Sequence, residues 1–145
     1  MFELIEASGY TVEYVELSPD RDGETDHDRK VVSIQFDLSL RPYRSTIAHE
    51  ACHVVFGDEP SMFGPVNAKQ ERRADEWAAH QLIDLEEYRQ SEAVHEGCVE
   101  AMAIDLCVTT DLVEAFRRVL LRTHSAVYVA PRMGAGQFAG RVAVA

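Results

Sequence analysis

Ser45-Thr46-Ile47-Ala48-His49-Glu50-Ala51-Cys52-His53-Val54-Val55-Phe56 is the stretch from which the rest of the chain is read. It contains His-Glu-x-x-His. On a helix, His49 and His53 stand one turn apart on one face, so both imidazoles can reach a single metal ion. Glu50 lies on the flank of that face, where a carboxylate can take a proton from a water on the metal. The neighbouring residues support the helical reading. Asp37 or Ser39 can cap the segment, Pro42 falls in its first turn where no N–H is needed, and Gly57 supplies a left-handed terminator. Ala48, Ala51, Cys52 and Val55 let the flanks pack closely, which predicts a helix buried among other elements. A buried pair of imidazoles needs partners, and a metal ion satisfies both at once.

Working outward toward the N-terminus, residues 10–17 alternate apolar and polar side chains and are rich in β-branched and aromatic types, as in a half-buried strand. Residues 18–30 are polar, charged and broken by Pro19 and Gly23, which predicts a loop. His27, between Asp26 and Asp28, reads as a solvated loop histidine rather than a metal site. Val32, Ile34 and Phe36 then mark a second strand over residues 31–37. Two strands running into a helix predict a small sheet beside it.

Toward the C-terminus, residues 58–69 read as a loop spaced by Pro60, Gly64 and Pro65, and residues 70–83 as a second long helix. Its apolar stripe is Ala74, Ala78, Leu82 and Leu85, and Glu71 and Asp75 fall on that same stripe. Carboxylates on a core-facing side cost free energy unless they are paired or bind a metal. Glu71 is therefore the candidate third ligand. Asp75, one turn on, can accept the second N–H of a ligating histidine.

Asp84-Leu85-Glu86-Glu87 resembles a capping box, so the chain breaks near Ile83 and a further helix runs through Gln90. Val99, Met102, Ala103 and Leu106 mark one amphipathic helix. Leu112, Val113, Phe116, Val119 and Leu120 mark another, capped by Thr109 or Thr110. The pair has helix-turn-helix spacing, with Cys107 at the usual glycine of the turn. The first helix carries Glu100 and Asp105 and no basic residue, and Asp111 and Glu114 open the second, the position that would have to face phosphates. A packing or partner-docking role fits better than DNA reading. Residues 127–130 could form one more strand, and the Gly/Ala-rich tail 131–145 is expected to be flexible.

Length and composition bound the class. The 145 residues, 46% hydrophobic, fit one domain over residues 1–130, with a metal-site core at 10–90 and a helical subdomain at 91–122. No run approaches the roughly 20 apolar residues of a membrane span. The acidic start, with no basic residue before Arg21, lacks the positive region of an export signal. Three cysteines without framework spacing fit a reducing cytoplasm. A net charge of −11 argues against direct nucleic-acid binding and suits a basic protein partner.

Arg44-x-Thr46-x-Ala48-His49-Glu50-x-x-His53 followed by Glu71-x-x-Ala74-Asp75-x-Trp77-Ala78-Ala79-x-x-Leu82-Ile83 resembles the ImmA/IrrE metallo-endopeptidases, most closely their short single-domain phage and mobile-element type. The likeness covers roughly residues 10–122. It departs from the family pattern at Ala51-Cys52, at Trp77 and at Leu82-Ile83-Asp84, none of which is a ligand or the base.

The resemblance implies an α+β, zincin-like fold. In it, a small N-terminal sheet packs on the active-site helix and a mostly helical C-terminal half follows. It also implies Zn2+ held by His49, His53 and Glu71, with Glu50 catalytic. The implied activity is cleavage of a protein substrate, a basic DNA-binding repressor of a phage or mobile element, so as to relieve immunity. The alternative is a non-catalytic antirepressor that sequesters such a repressor. Peptide hydrolysis also needs an oxyanion donor, for which Tyr43, His80, Tyr88, His124 and Tyr128 are candidates.

Overall fold

Val32 and Ile34, two apart on a strand, are fully buried in a cluster with Ile47, Ala51 and Val54 of the motif helix. That contact joins sheet to helix and places everything else. The computed structural model describes residues 1–123. The expectations for residues 127–130, for the tail 131–145, and for His124 and Tyr128 lie outside the described residues. The elements are α1 (Phe2–Ala7), β1 (Thr11–Val15), β2 (Gly23–Asp26), β3 (Val31–Gln35), α2 (Leu40–Phe56), α3 (Gly64–Leu82), α4 (Leu85–Val94), α5 (Val99–Asp105) and α6 (Thr110–Thr123). This is an α+β arrangement, with a three-stranded sheet of order β1-β3-β2. β1 runs parallel to β3, and β2 runs antiparallel to it.

Three elements differ from expectation. Gly23–Asp26, read as loop, is the strand β2; its Gly-Glu-Thr-Asp composition has no apolar alternation, and its pairing with β3 supplies the stabilising bonds. α3 begins at Gly64, six residues earlier than the polar stretch suggested, because Pro65 occupies the first turn, where it is tolerated in a helix. α1 has too few residues to show a period, and it docks Ile5 into the core. The other boundaries agree closely. α2 starts after Ser39, which makes no side-chain cap bond, and ends at Gly57 with φ 63°. Asp84 caps α4 through bonds to the N–H groups of Glu86 and Glu87, and α4 continues past Gln90 to Val94.

α2 is the wall shared by two cores. Its Ile47, Ala51 and Val54 meet the sheet, together with Ile5 of α1. Ala48, one residue from Ile47, belongs to the second core, built by Ala78 and Ala79 of α3, Tyr88 of α4, Met102 and Ala103 of α5, and Val113 and Phe116 of α6. Small residues on α2 let both layers approach the helix axis closely. The α5–α6 turn is tied to α2 by two bonds. Arg44 Nη1 donates to the Cys107 carbonyl (3.2 Å), and the Thr109 N–H donates to Ser45 Oγ (3.0 Å). Cys107 takes φ 54° there, the left-handed conformation for which glycine is the usual choice. Among the described residues, no helix is long and apolar enough to cross a membrane.

Candidate metal centre

With both sides of α2 packed, its His49–His53 face opens into a cleft of about 550 Å3. β2 and the segment before it form one wall, the start of α3 a second, and Thr109, Asp111 and Leu112 at the start of α6 a third. The helix-turn-helix-like pair thus helps to build the cleft with the end that would have to face phosphates.

The two imidazoles are oriented by carboxylates. His49 Nδ1 lies 2.9 Å from Asp75 Oδ1, and His53 Nδ1 lies 3.0 Å from Asp58 Oδ2. An ionised carboxylate only accepts, so both Nδ1 atoms donate, and each Nε2 is turned toward the other ring and toward Glu71. The Nε2 atoms are 3.0 Å apart, and Glu71 oxygens lie 3.1 Å from His49 Nε2 and 3.6 Å from His53 Nε2. Tetrahedral coordination at about 2.0–2.1 Å would place ligand atoms roughly 3.3 Å apart. The spread of observed separations brackets that value. His49, His53 and Glu71 therefore fit a metal ion, and their ligand atoms all lie within 4.8 Å of one another.

Electrostatics agree with the geometry. Without a metal, burial opposes a charge on His49, but its bonds to Asp75 and Glu71 outweigh that effect and push its pKa up to about 10. Glu71, bonded to His49, is held below the usual carboxylate range. Burial works against charge at Asp58 too, yet Arg73 and His53 lower its pKa. Without a metal, His49 thus holds its proton while Glu71 and Asp58 stay ionised.

Glu50 differs from the other carboxylates. It is 6% exposed, burial raises its pKa, and the bond from Thr25 and the nearby histidines only partly offset that. Thr25 Oγ1 donates to its Oε2 at 2.7 Å. A Cβ on Gly23 would stand 2.8 Å from Glu50 Oε1 and 2.5 Å from the Thr46 methyl. Strand β2 therefore presses against the Glu50 side chain where only a hydrogen atom fits.

The sequence-derived residues His49, Glu50, His53, Glu71 and Asp75 come together at one cleft. One detail changes. Glu71 was expected on the core-facing stripe, but its side chain is 61% exposed at the mouth of the cleft, ahead of the part of α3 that packs on α6. Three oxyanion candidates lie elsewhere. Tyr43 stacks on Tyr14, His80 packs on Phe116, and Tyr88 is fully buried with its hydroxyl between Glu92 and Arg117. None of the three lines the cleft; Arg21, Asn67 and Gln70 are among the donors that do.

Sequence reasoning missed Asp58, Arg73, Thr25 and Gly23. Asp58 follows the left-handed Gly57, which turns the chain so that a residue five past His53 comes back to it. Arg73 bonds the other Asp58 oxygen, and its guanidinium lies over the Phe56 ring (4.3 Å to the centroid). The model of the Peptidase_M78 family, described as an IrrE N-terminal-like domain, matches residues 8–116, which include every one of these residues. The comparison with curated proteins finds no match.

Proposed function

The chain belongs to the Peptidase_M78 family, and from that premise we propose that it is a zinc-dependent endopeptidase acting on a basic protein. The observation that carries this reading is the convergence of His49, His53 and Glu71 on one point, with the buried Glu50 carboxylate beside it. Two imidazole nitrogens and one carboxylate oxygen suit zinc, and three protein ligands rather than four favour a catalytic site. When bound, the ion supplies Lewis acidity toward a water and toward the carbonyl under attack.

The protein's own groups do the rest. Asp75 and Asp58 hold the imidazoles in the tautomer that offers Nε2. Thr25 donates to Glu50 Oε2 and holds the carboxylate in place while it takes the proton of the attacking water. The water oxygen bonds to the carbonyl carbon, the C–N bond breaks, and Glu50 returns the proton to the leaving amine. A carboxylate whose pKa burial has raised is suited to both transfers. β2 is the edge of the sheet and lines the cleft, so a substrate segment could extend alongside it by strand addition. Asp20, Asp22, Glu24 and Asp111 on the cleft wall support a basic substrate, as does the net charge of −11. We take that substrate to be a DNA-binding repressor of a phage or mobile element.

The test is incubation of the zinc-loaded protein with the repressor encoded nearby, followed by mass spectrometry of the fragments. Cleavage at substoichiometric enzyme is expected. Glu50→Gln should keep its metal and lose cleavage by at least about a hundredfold, the scale of a lost general base. Loss of repressor function without fragments, and unaffected by Glu50→Gln, would instead indicate sequestration.

A further inference from the structure

His27 follows the last residue of β2 and has no part in the chemistry above. It is half-buried, and both ring nitrogens are engaged. Nε2 lies 2.8 Å from the Asp58 carbonyl oxygen and Nδ1 lies 2.7 Å from the Tyr10 hydroxyl. A carbonyl oxygen can only accept, so Nε2 carries a hydrogen, and neutral His27 accepts from Tyr10 at Nδ1. The Tyr10 and His27 rings also meet edge to face at 5.8 Å, which fixes the imidazole plane. The residue it grips is the one whose carboxylate orients a candidate ligand. Asp58 Oδ2 accepts from His53 Nδ1, and His53 Nε2 points into the cluster. The chain of contacts runs Tyr10, His27, the Asp58 backbone, the Asp58 carboxylate and His53.

Arg73 grips the carboxylate end of Asp58. The backbone from which that carboxylate extends is held at two points: the Asp58 N–H donates to the His53 carbonyl at the end of α2 (3.2 Å), and the Asp58 carbonyl accepts from His27, which stands in the β2–β3 turn.

We propose that His27 is a positioning residue for the metal centre, holding through the Asp58 carbonyl the carboxylate that orients His53. This rests on the reading of His49, His53 and Glu71 as metal ligands. It makes a single short segment, Gly23 to His27, responsible for seating both the base (through Thr25 and Gly23) and one ligand.

The experiment titrates zinc and cobalt(II) into the full chain against a chromophoric chelator and records the visible spectrum of the cobalt form. His27→Ala is expected to weaken binding by about three- to tenfold, below the 10- to 100-fold typical of a residue bonded directly to a ligand. It should also shift the cobalt bands. His27→Gln, whose amide N–H can reach the same carbonyl, should recover most of the affinity. Tyr10→Phe, which only frees the imidazole to rotate, should show a smaller loss. If His27→Ala fails to fold by circular dichroism, His27→Gln and Tyr10→Phe carry the comparison.

A merely structural role is separated by a double-mutant cycle. Once Asp58→Ala has removed the carboxylate, His27→Ala should cost little further affinity. Additive losses, or a wild-type affinity and cobalt spectrum in folded His27→Ala, would overturn the proposal while leaving the metal centre in place. A wild-type chain that takes up neither ion would overturn the metal centre and the proposal together.

Discussion

Glu50 and His49 are neighbours in the chain with opposite needs, and the side chains around them meet both. As the proposed base, Glu50 must be shielded from bulk water and carry a proton briefly. Gly23 secures this by letting β2 close over it. Gly23→Ala therefore pushes a methyl group against the Thr46 methyl and the Glu50 side chain, and the Glu50 carboxylate is displaced along with Thr46. Metal content should remain as in wild type while cleavage falls by about tenfold or more, since an ångström of misplacement costs up to about a hundredfold; loss of metal with retained activity would refute the seat. His49 must shed a proton to bind metal. With its pKa at about 10 when no metal is bound, it is protonated at neutral pH, so loading expels that proton. Apparent metal affinity should rise about tenfold per pH unit up to about pH 10, seen by titration in buffers of different pH, and a flat profile would contradict the assignment. The candidate ligands were legible because helical offsets fix their mutual positions: i and i+4 on α2, then the Glu71 and Asp75 pair on α3. Asp58, Thr25 and Gly23 were not, because each reaches the site through a turn or a polar edge strand, where no period marks the facing side.

At the scale of elements, the turns that end helices carry most of the backbone cost. Gly57 at φ 63° has nothing within 4 Å of where a Cβ would stand, so Gly57→Ala meets no clash and its cost is purely conformational. It should destabilise the protein by about 1–2 kcal/mol in chemical denaturation, the left-handed penalty for an L-residue. Cys107 bears the same penalty already, at φ 54° in the α5–α6 turn. α2, the Asp84 cap and the α5–α6 pair were readable in advance because caps and apolar stripes are local signals. β2 was not readable, because strand pairing with β3 stabilises it and its own composition does not. The start of α3 was hidden by glycine and prolines, which mark turns as often as they mark the first helical residues.

Across the whole molecule, α2 is packed by the sheet on one side and by α3 on the other, with α5 and α6 completing the core on the α3 side. The candidate metal cluster joins that helix to α3, with His49 and His53 on α2 and Glu71 on α3. A bound ion therefore cross-links two helices that the cores already bring together. Chelation should lower the thermal midpoint without changing the helical content measured by circular dichroism; metal at a hundredfold excess over its Kd stabilises by about 2.7 kcal/mol. An unchanged midpoint would mean that the cluster does not hold an ion in the folded chain. The α+β class was readable from the order of strands and helices, but not the sharing of α2 between two cores. Sharing depends on Ala48 and Ile47 facing different neighbours, and adjacent residues on an amphipathic helix carry no label for which neighbour each will meet.

The register of β2 has a consequence for how such a chain can vary. Thr25 stands opposite Val32, and Gly23 opposite Ile34, in the antiparallel pairing with β3. A strand turns successive side chains to opposite faces, so inserting or deleting one residue in the hairpin turn, with the pairing shifted to match, would carry Thr25 away from Glu50. A shift of two residues restores the facing but carries Thr25 about 7 Å along the strand, out of reach of Glu50. Changes of length between residues 27 and 30 should therefore be tolerated only where the turn absorbs them and the pairing with β3 stays as it is, a constraint on register in a segment whose composition looks free to drift.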